Sequence, residues 1–301
     1  MKKSVKVFWS MCCALVVMGG VFTLAGILLG MDVRAVSETF HIDEQNLEAF
    51  QEIDIAVITA DIEVVYSDHY GLKADLKGKG RGSAARTSWS VSGGELKLKE
   101  KDRKTGFKDF MGAVTNQKMD WEGKVTVYLP QGAALEQAVF SVVDGDMNAE
   151  KLEAGKFSHA SVSGDLHLKN CRFDSFEFNT VSGRADVEDS NLGYAEIAGV
   201  SSDLNLLRVT TSELSCDAVD GDLKFVGKPL GKTSITSMSG DVIFEIDGQR
   251  QDYEIEQAAS WEGLSRVKII DGSGGEEQSQ PGKPNRIEIS AMSGEAVITF
   301  R

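Results

Sequence analysis

Proline, cysteine and histidine are each present only four times in 301 residues, and each scarcity excludes something. Cys12 and Cys13 fall inside an apolar run, so Cys171 and Cys216 are the only thiols left for the rest of the chain. Two thiols make no disulfide framework, and stability has to come from a packed core. There is no Cys-x-x-Cys pair, and His41, His69, His159 and His167 are scattered, so no zinc or other metal site is expected. His159 and His167 are read as imidazoles on a polar face. Basic charge is also short: 32 Lys and Arg stand against 46 Asp and Glu, a net of −14. A surface of that sign is a poor match for a phosphate backbone, which excludes nucleic acid as a general partner. Hydrophobic residues make up 42% of the chain, enough to build a core, and a disordered acidic tail is excluded.

Long uncharged apolar runs are limited to one. Residues 7–30 carry no charge; as a helix they would rise about 36 Å, more than the ~30 Å of a bilayer's hydrocarbon. Lys2, Lys3 and Lys6 precede the run, while Asp32, Arg34 and Glu38 follow it. The positive-inside rule then predicts a single-pass cell-membrane protein with a cytoplasmic N-terminus and an extracytoplasmic C-terminal domain. The competing reading is a signal peptide cleaved after Ala35 in Val33-Arg34-Ala35, against which the run is longer than a usual signal core.

Glycine, by contrast, is plentiful at 31 residues and falls in phase. Val143-Asp144-Gly145-Asp146, Val162-Ser163-Gly164-Asp165, Val181-Ser182-Gly183-Arg184, Val200-Ser201-Ser202-Asp203, Val219-Asp220-Gly221-Asp222 and Met238-Ser239-Gly240-Asp241 recur every 19 residues. Met292-Ser293-Gly294-Glu295 is an echo whose spacing of 54 is no multiple of 19, and Val91-Ser92-Gly93-Gly94 reads as an earlier, degenerate copy. After each turn come two apolar columns, Met147, Leu166, Ala185, Leu204, Leu223, Val242 and Ala149, Leu168, Val187, Leu206, Phe225, Phe244, with a mostly polar column between them. That is the period of a strand with one buried face. A second alternating stretch precedes the turn, with Phe157, Phe176, Ala195, Leu214, Thr233 in one column and His159, Phe178, Ile197, Cys216, Ile235 in the next.

A unit of two strands and two bends buries its apolar face only by stacking on copies of itself. The fold class predicted is therefore all-β, a single-chain β-solenoid with 19-residue rungs behind one transmembrane helix. The glycines Gly145, Gly164, Gly183, Gly221 and Gly240 are structural repeat corners, and the corner acid bonds back to nearby backbone NH groups. The Gly-Gly-x-Gly-x-Asp spacing of calcium-binding β-rolls is absent, so no ion or cofactor is assigned to the column. Stacked acids about 5 Å apart repel, and Arg184, between Asp165 and Asp203, is predicted to relieve them. Cys171 and Cys216 lie 45 residues apart in different columns, roughly two rungs or 10 Å, and are predicted to remain unpaired.

The organisation predicted is a basic tip (1–6), a transmembrane helix (7–30), a linker (31–49), irregular β rungs (50–142), regular repeats (143–244) and further irregular rungs (245–301) with a flexible loop at 272–285. Between residues 70 and 110, eleven basic residues stand against five acidic ones, against the trend of the chain. Lys97, Lys99, Lys101, Arg103 and Lys104 are the candidate contact with an anionic lipid or wall polymer, with a solvated loop as the plainer reading.

The Val-Ser-Gly-Asp corners, the apolar alternation after them and the single N-terminal anchor resemble a bacterial envelope family over about residues 50–301. It is the β-strand-repeat family called putative adhesin, or domain of unknown function 4097, which includes LiaG-like envelope proteins. Arg184 and Ser202 depart from its usual Asp and Gly. The resemblance implies an adhesin-like binding or structural protein of the envelope and no catalytic residues. An envelope-stress component that partners a membrane signalling system is the alternative. A polysaccharide-active enzyme is disfavoured, because no pair of carboxylates stands apart from the repeat. The partner expected, beyond the membrane, is an envelope protein or polymer.

Overall fold

A computed structural model of the chain describes residues 37–79, 87–100, 122–257, 267–270 and 282–301. The predicted membrane helix, Lys101, Arg103 and Lys104, and most of the 272–285 loop lie outside these residues. Among the described residues no helix is long and apolar enough to cross a membrane. The chain forms two compact units, residues 1–148 and 149–301.

In the first unit the strands are β1 (Ser37–Gln45), β2 (Glu52–Thr59), β3 (Asp61–Ser67), β4 (Gly71–Lys79), β5 (Thr87–Ser92), β6 (Glu95–Glu100), β7 (Glu122–Pro130) and β8 (Ala134–Asp144). β2 lies parallel between β6 and β8, and β3 lies parallel to β7. The strands do not stack in chain order: β2 and β3 sit inside strands that come later. The ladders end in antiparallel strands, β5 on β6 and β1 on β4 on β7. The predicted early corner at Gly93 is corrected accordingly. Gly93 and Gly94, at φ 63° and 81°, are the two-residue turn of the β5–β6 hairpin, and a β-carbon at either meets nothing within 4 Å.

β9 (Met147–Glu150) carries the chain into the second unit, where β10 (Glu153–Ser163), β11 (Leu166–Lys169), β12 (Arg172–Glu188), β13 (Asn191–Asp220), β14 (Leu223–Pro229), β15 (Lys232–Ser239) and β16 (Val242–Ile246) form the repeats. Pairing is parallel with a register of 19: Phe157 on Phe176, Phe176 on Ala195, Leu204 on Leu223, Leu223 on Val242. The columns predicted to be inward are buried, and aromatic rings in them stack, Phe225 on Phe244 at 4.4 Å and Phe157 on Phe173 at 4.7 Å. Each such side chain withdrawn from water contributes roughly 1.5–3 kcal/mol.

Three bends are found per rung where two were expected. The first is the glycine corner. The second is a left-handed column, Lys151, Asn170, Asp189 and Arg208, with φ between 51° and 61°. The third breaks the ladder one residue before β-pairing resumes at Lys156, Ser175 and Tyr194, and there Gly193 and Gly231 also take positive φ. The second is made by polar residues of no common type, and the third holds glycine only at alternate rungs, Gly155, Gly193 and Gly231, with Asp174 and Ser212 between them, so neither repeats as plainly as the corner.

The spacing of 54 is also resolved. β17 (Tyr253–Gln257) and β18 (Val267–Ile270) are followed by β19 (Asn285–Ala291) and β20 (Ala296–Phe300). β19 stacks on β15 and β20 on β16, while β17 and β18 pair outside them. Gly294 thus sits on Gly240 as a further corner, and the intervening chain is looped out to form the outer rung. The last segment of the chain is inside the stack, as β2 and β3 are in the first unit.

Close approach, more than turn geometry, makes the corner glycine necessary. Gly183 has φ 132°, and a β-carbon there would lie 2.2 Å from the carbonyl oxygen of Gly164. Gly183→Ala is therefore expected to cost about 3 kcal/mol, from backbone strain and the clash together. Gly94→Asn, also at positive φ but in open space, is expected to cost about 1 kcal/mol or less. Urea unfolding of the two variants checks the difference; equal losses would contradict the close-approach account.

Candidate functional site

The corner column of the second unit is built on hydrogen bonds from one rung to the next. The Arg184 backbone NH donates to Asp165 Oδ1 at 2.8 Å, Asp222 NH to Asp203 Oδ1 at 3.1 Å, Asp241 NH to Asp222 Oδ1 at 2.8 Å and Glu295 NH to Asp241 Oδ1 at 2.8 Å. The same device appears in the first unit, where Asp146 NH donates to Asp61 Oδ1 at 2.9 Å. The corner acid thus accepts from a backbone NH, as expected, and the NH belongs to the next rung, so each acid ties its rung to its neighbour. A charge-assisted bond of this kind offsets the repulsion of a stacked acid column.

Two departures from the column, Arg184 and Ser202, meet in an open cleft of about 510 Å³, lined also by Asp165, Ser201, Asp203 and Asp220. The Arg184 guanidinium lies 4.0 Å from Asp203 Oδ2, and both side chains are about half exposed, 53% and 52%. The guanidinium is placed where the predicted relief role would need it: the backbone of Arg184 engages Asp165 and its side chain faces Asp203. Ser202 is accommodated differently. It does not take positive φ, it is buried, and its Oγ occupies the space where a β-carbon of residue 199 would lie, 2.0 Å away. In the other rungs that column holds Ser161, Thr180, Ala218 and Ser237; here it holds Gly199. The side chain lost at 199 makes room for the one gained at 202. Reading the two columns against each other would have found this pair in the sequence.

Elsewhere the expected site residues separate. Lys99 Nζ lies 2.5 Å from an Asp54 carboxylate oxygen and Lys97 pairs with Glu95. Both are therefore neutralised on the surface of the first unit, and the remaining members of that basic set lie outside the described residues. His167 is on the outer face, 3.4 Å from Asp186. His159 is not on a polar face as expected: it is fully buried, because its position is in the inward column of Phe178 and Ile197. Cys171 and Cys216 are free and buried, and burial raises their pKa values to about 11 and about 12. Such thiols are protonated at neutral pH and are poor nucleophiles. At the left-handed column, Arg208 grips Asp189 with Nε–Oδ1 at 2.5 Å and Nη2–Oδ2 at 2.9 Å, which holds the Asp189 carboxyl below its usual range.

Comparison with known proteins agrees with the repeat. The model of the family described as Toastrack DUF4097 matches residues 50–297. The chain belongs to that family. No curated protein matches it. Among solved structures, it is similar to a putative adhesin from Bacteroides fragilis (12% identity, 90% of this chain and 100% of that one, TM-score 0.39). It is also similar to a putative lipid binding protein from Parabacteroides distasonis (15%, 88% and 96%, TM-score 0.41). A putative cell adhesion protein from Clostridium sporogenes matches at 11% identity over 88% of this chain and 100% of that one, with a TM-score of 0.33.

Two outcomes test the cleft's construction. Gly199→Ala should lower stability by about 1–3 kcal/mol, and Ser202→Gly in the same chain should restore most of the loss, a coupling of at least about 1 kcal/mol. Additive effects in that double-mutant cycle would refute the exchange of space. Arg184→Asp should destabilise by up to about 1 kcal/mol at low ionic strength and by less in 1 M salt. A melting temperature unchanged at low salt would show that Arg184 does not relieve the column.

Proposed function

We propose that the chain is a membrane-anchored, extracytoplasmic protein of the bacterial envelope that acts through binding or structural contacts rather than catalysis. The observation that carries this reading is the stack of equal rungs behind an N-terminal apolar run with Lys2, Lys3 and Lys6 before it. A stack of this kind presents the same outward position at each step of about 4.8 Å, which suits contact with an extended partner. Family membership and the adhesin-like character that the resemblance implies support the same reading. The buried, protonated state of Cys171 and Cys216 favours structural use of the thiols over nucleophilic use.

The proposal is tested with intact cells expressing the full chain with its four cysteines replaced and one new cysteine at exposed Ser239. A membrane-impermeant maleimide should label it without lysis, and the chain should stay with membranes after carbonate washing. Labelling only after lysis, or release from the membrane, would overturn the location. In-cell cross-linking from the same position should then capture an envelope protein or polymer; a purified chain that instead cleaves envelope glycan would overturn the non-catalytic part.

A further inference from the structure

One buried group has no role in the packing just described. His159 is 0% exposed, and neither ring nitrogen has a hydrogen-bond partner. Its ring stacks on Phe178 with centroids 5.8 Å apart, and the column continues as Ile197, Cys216 and Ile235. Phe fills that position in the next rung, so an imidazole there costs unmet hydrogen bonds and gains no packing.

Within the second unit, no charged side chain is buried on the strands around it. On β10 the buried neighbours are Phe157 and Ser161, on β12 Phe176, Phe178 and Thr180, and on β11 Leu166 and Leu168. Ser161 and Thr180 are already bonded to each other at 2.9 Å. Apart from His159, the buried polar side chains among the described residues are all serines and threonines; no Asp, Glu, Lys or Arg is buried. The nearest outward charges on the paired strands, Lys156 and Glu177, are on the opposite face and bonded to each other at 3.5 Å. The buried thiols of Cys171 and Cys216 stay neutral in acid and offer no counter-ion.

We propose that His159 is an acid trigger: when the imidazole takes up a proton, the ring leaves the core and the β10–β12 ladder at the start of the second unit opens. In water the imidazole gains its proton near pH 6.5, whereas burial in the folded state lowers this to about 4. The group is thus neutral in both states only well above 6.5, from about pH 7.5 upward, where its contribution to stability is complete. As pH falls from 6.5 towards 4, the open state binds the extra proton and the closed state does not. The opening equilibrium constant then rises by up to tenfold per pH unit, about fortyfold between pH 6.5 and 4.5. A protein exposed to the medium would in this way loosen its first repeats on acidification while leaving them closed at neutral pH.

The test is amide hydrogen exchange on the full chain in detergent, corrected for intrinsic rates, at pH 6.5 and 4.5. Peptides from β10 to β12 should exchange roughly fortyfold faster at the lower pH in the native chain. His159→Phe should abolish the acceleration, and His167→Gln, on the outer face, should leave it intact. Equal acceleration in native and His159→Phe chains would overturn the proposal. If His159→Phe does not fold, imidazole NMR of the native chain decides. A His159 ring that stays neutral until the native signals disappear supports the trigger, and one that titrates near 6.5 within an intact fold overturns it.

Discussion

A parallel ladder repeats every 19 residues, and every other property of the second unit depends on that register. Parallel rungs about 4.8 Å apart place residue i against residue i + 19, so a column is inward or outward along its whole length. Phe176, Ala195 and Leu214 differ in volume yet occupy one buried column, and where the large members fall together, Phe157, Phe173 and Phe176 stack as one aromatic cluster. A one-residue slip would turn every column over at once. The chain holds register through its three bends, and each bend has its own means: close backbone approach at the glycine corner, left-handed polar residues at the second, a broken ladder at the third.

The same constraint explains the ends. A parallel stack leaves an open edge at each terminus, with backbone groups ready to pair with anything. In the first unit the ladders are finished by antiparallel strands, with β5 closing one and β1 the other. In the second the end is built from non-sequential rungs, with β19 and β20 placed under β17 and β18. Placing the last segment beneath an earlier one makes the outer rung depend on the end of the chain. Folding of that end has to wait for residues 285–300, since β17 and β18 have their ladder partners only there among the described residues.

The repeat itself was legible because its requirements are harsh. Only glycine tolerates a 2.2 Å approach of a carbonyl oxygen to its β-position, and strict in–out alternation leaves a period-2 signal that loops do not mimic. The left-handed column was not legible, because Lys151, Asn170, Asp189 and Arg208 share no chemistry that announces positive φ; only the position is shared. The order of the rungs was likewise hidden. Alternation marks β2, β6 and β17 as strands but says nothing about which strand each lies against. His159 was misplaced for a related reason: its own polarity was weighed above its column, although Phe178 and Ile197 at the same position already marked it as inward.

The cleft shows how such a repeat acquires individuality without losing its fold. A departure is tolerated only where a neighbouring column yields: Gly199 lacks the side chain that Ser202 adds. Arg184 keeps the backbone bond that its column demands, donating to Asp165, and changes only the part of the residue that faces outward. Its guanidinium stands between acids that the column supplies for structural reasons, so one substitution converts a uniform acidic edge into a place of mixed charge. In a stack whose inner positions are dictated by packing, a surface that differs from rung to rung has to be assembled from such outward exchanges. Within the block that keeps the 19-residue register, the rungs from 165 to 221 are where these exchanges coincide.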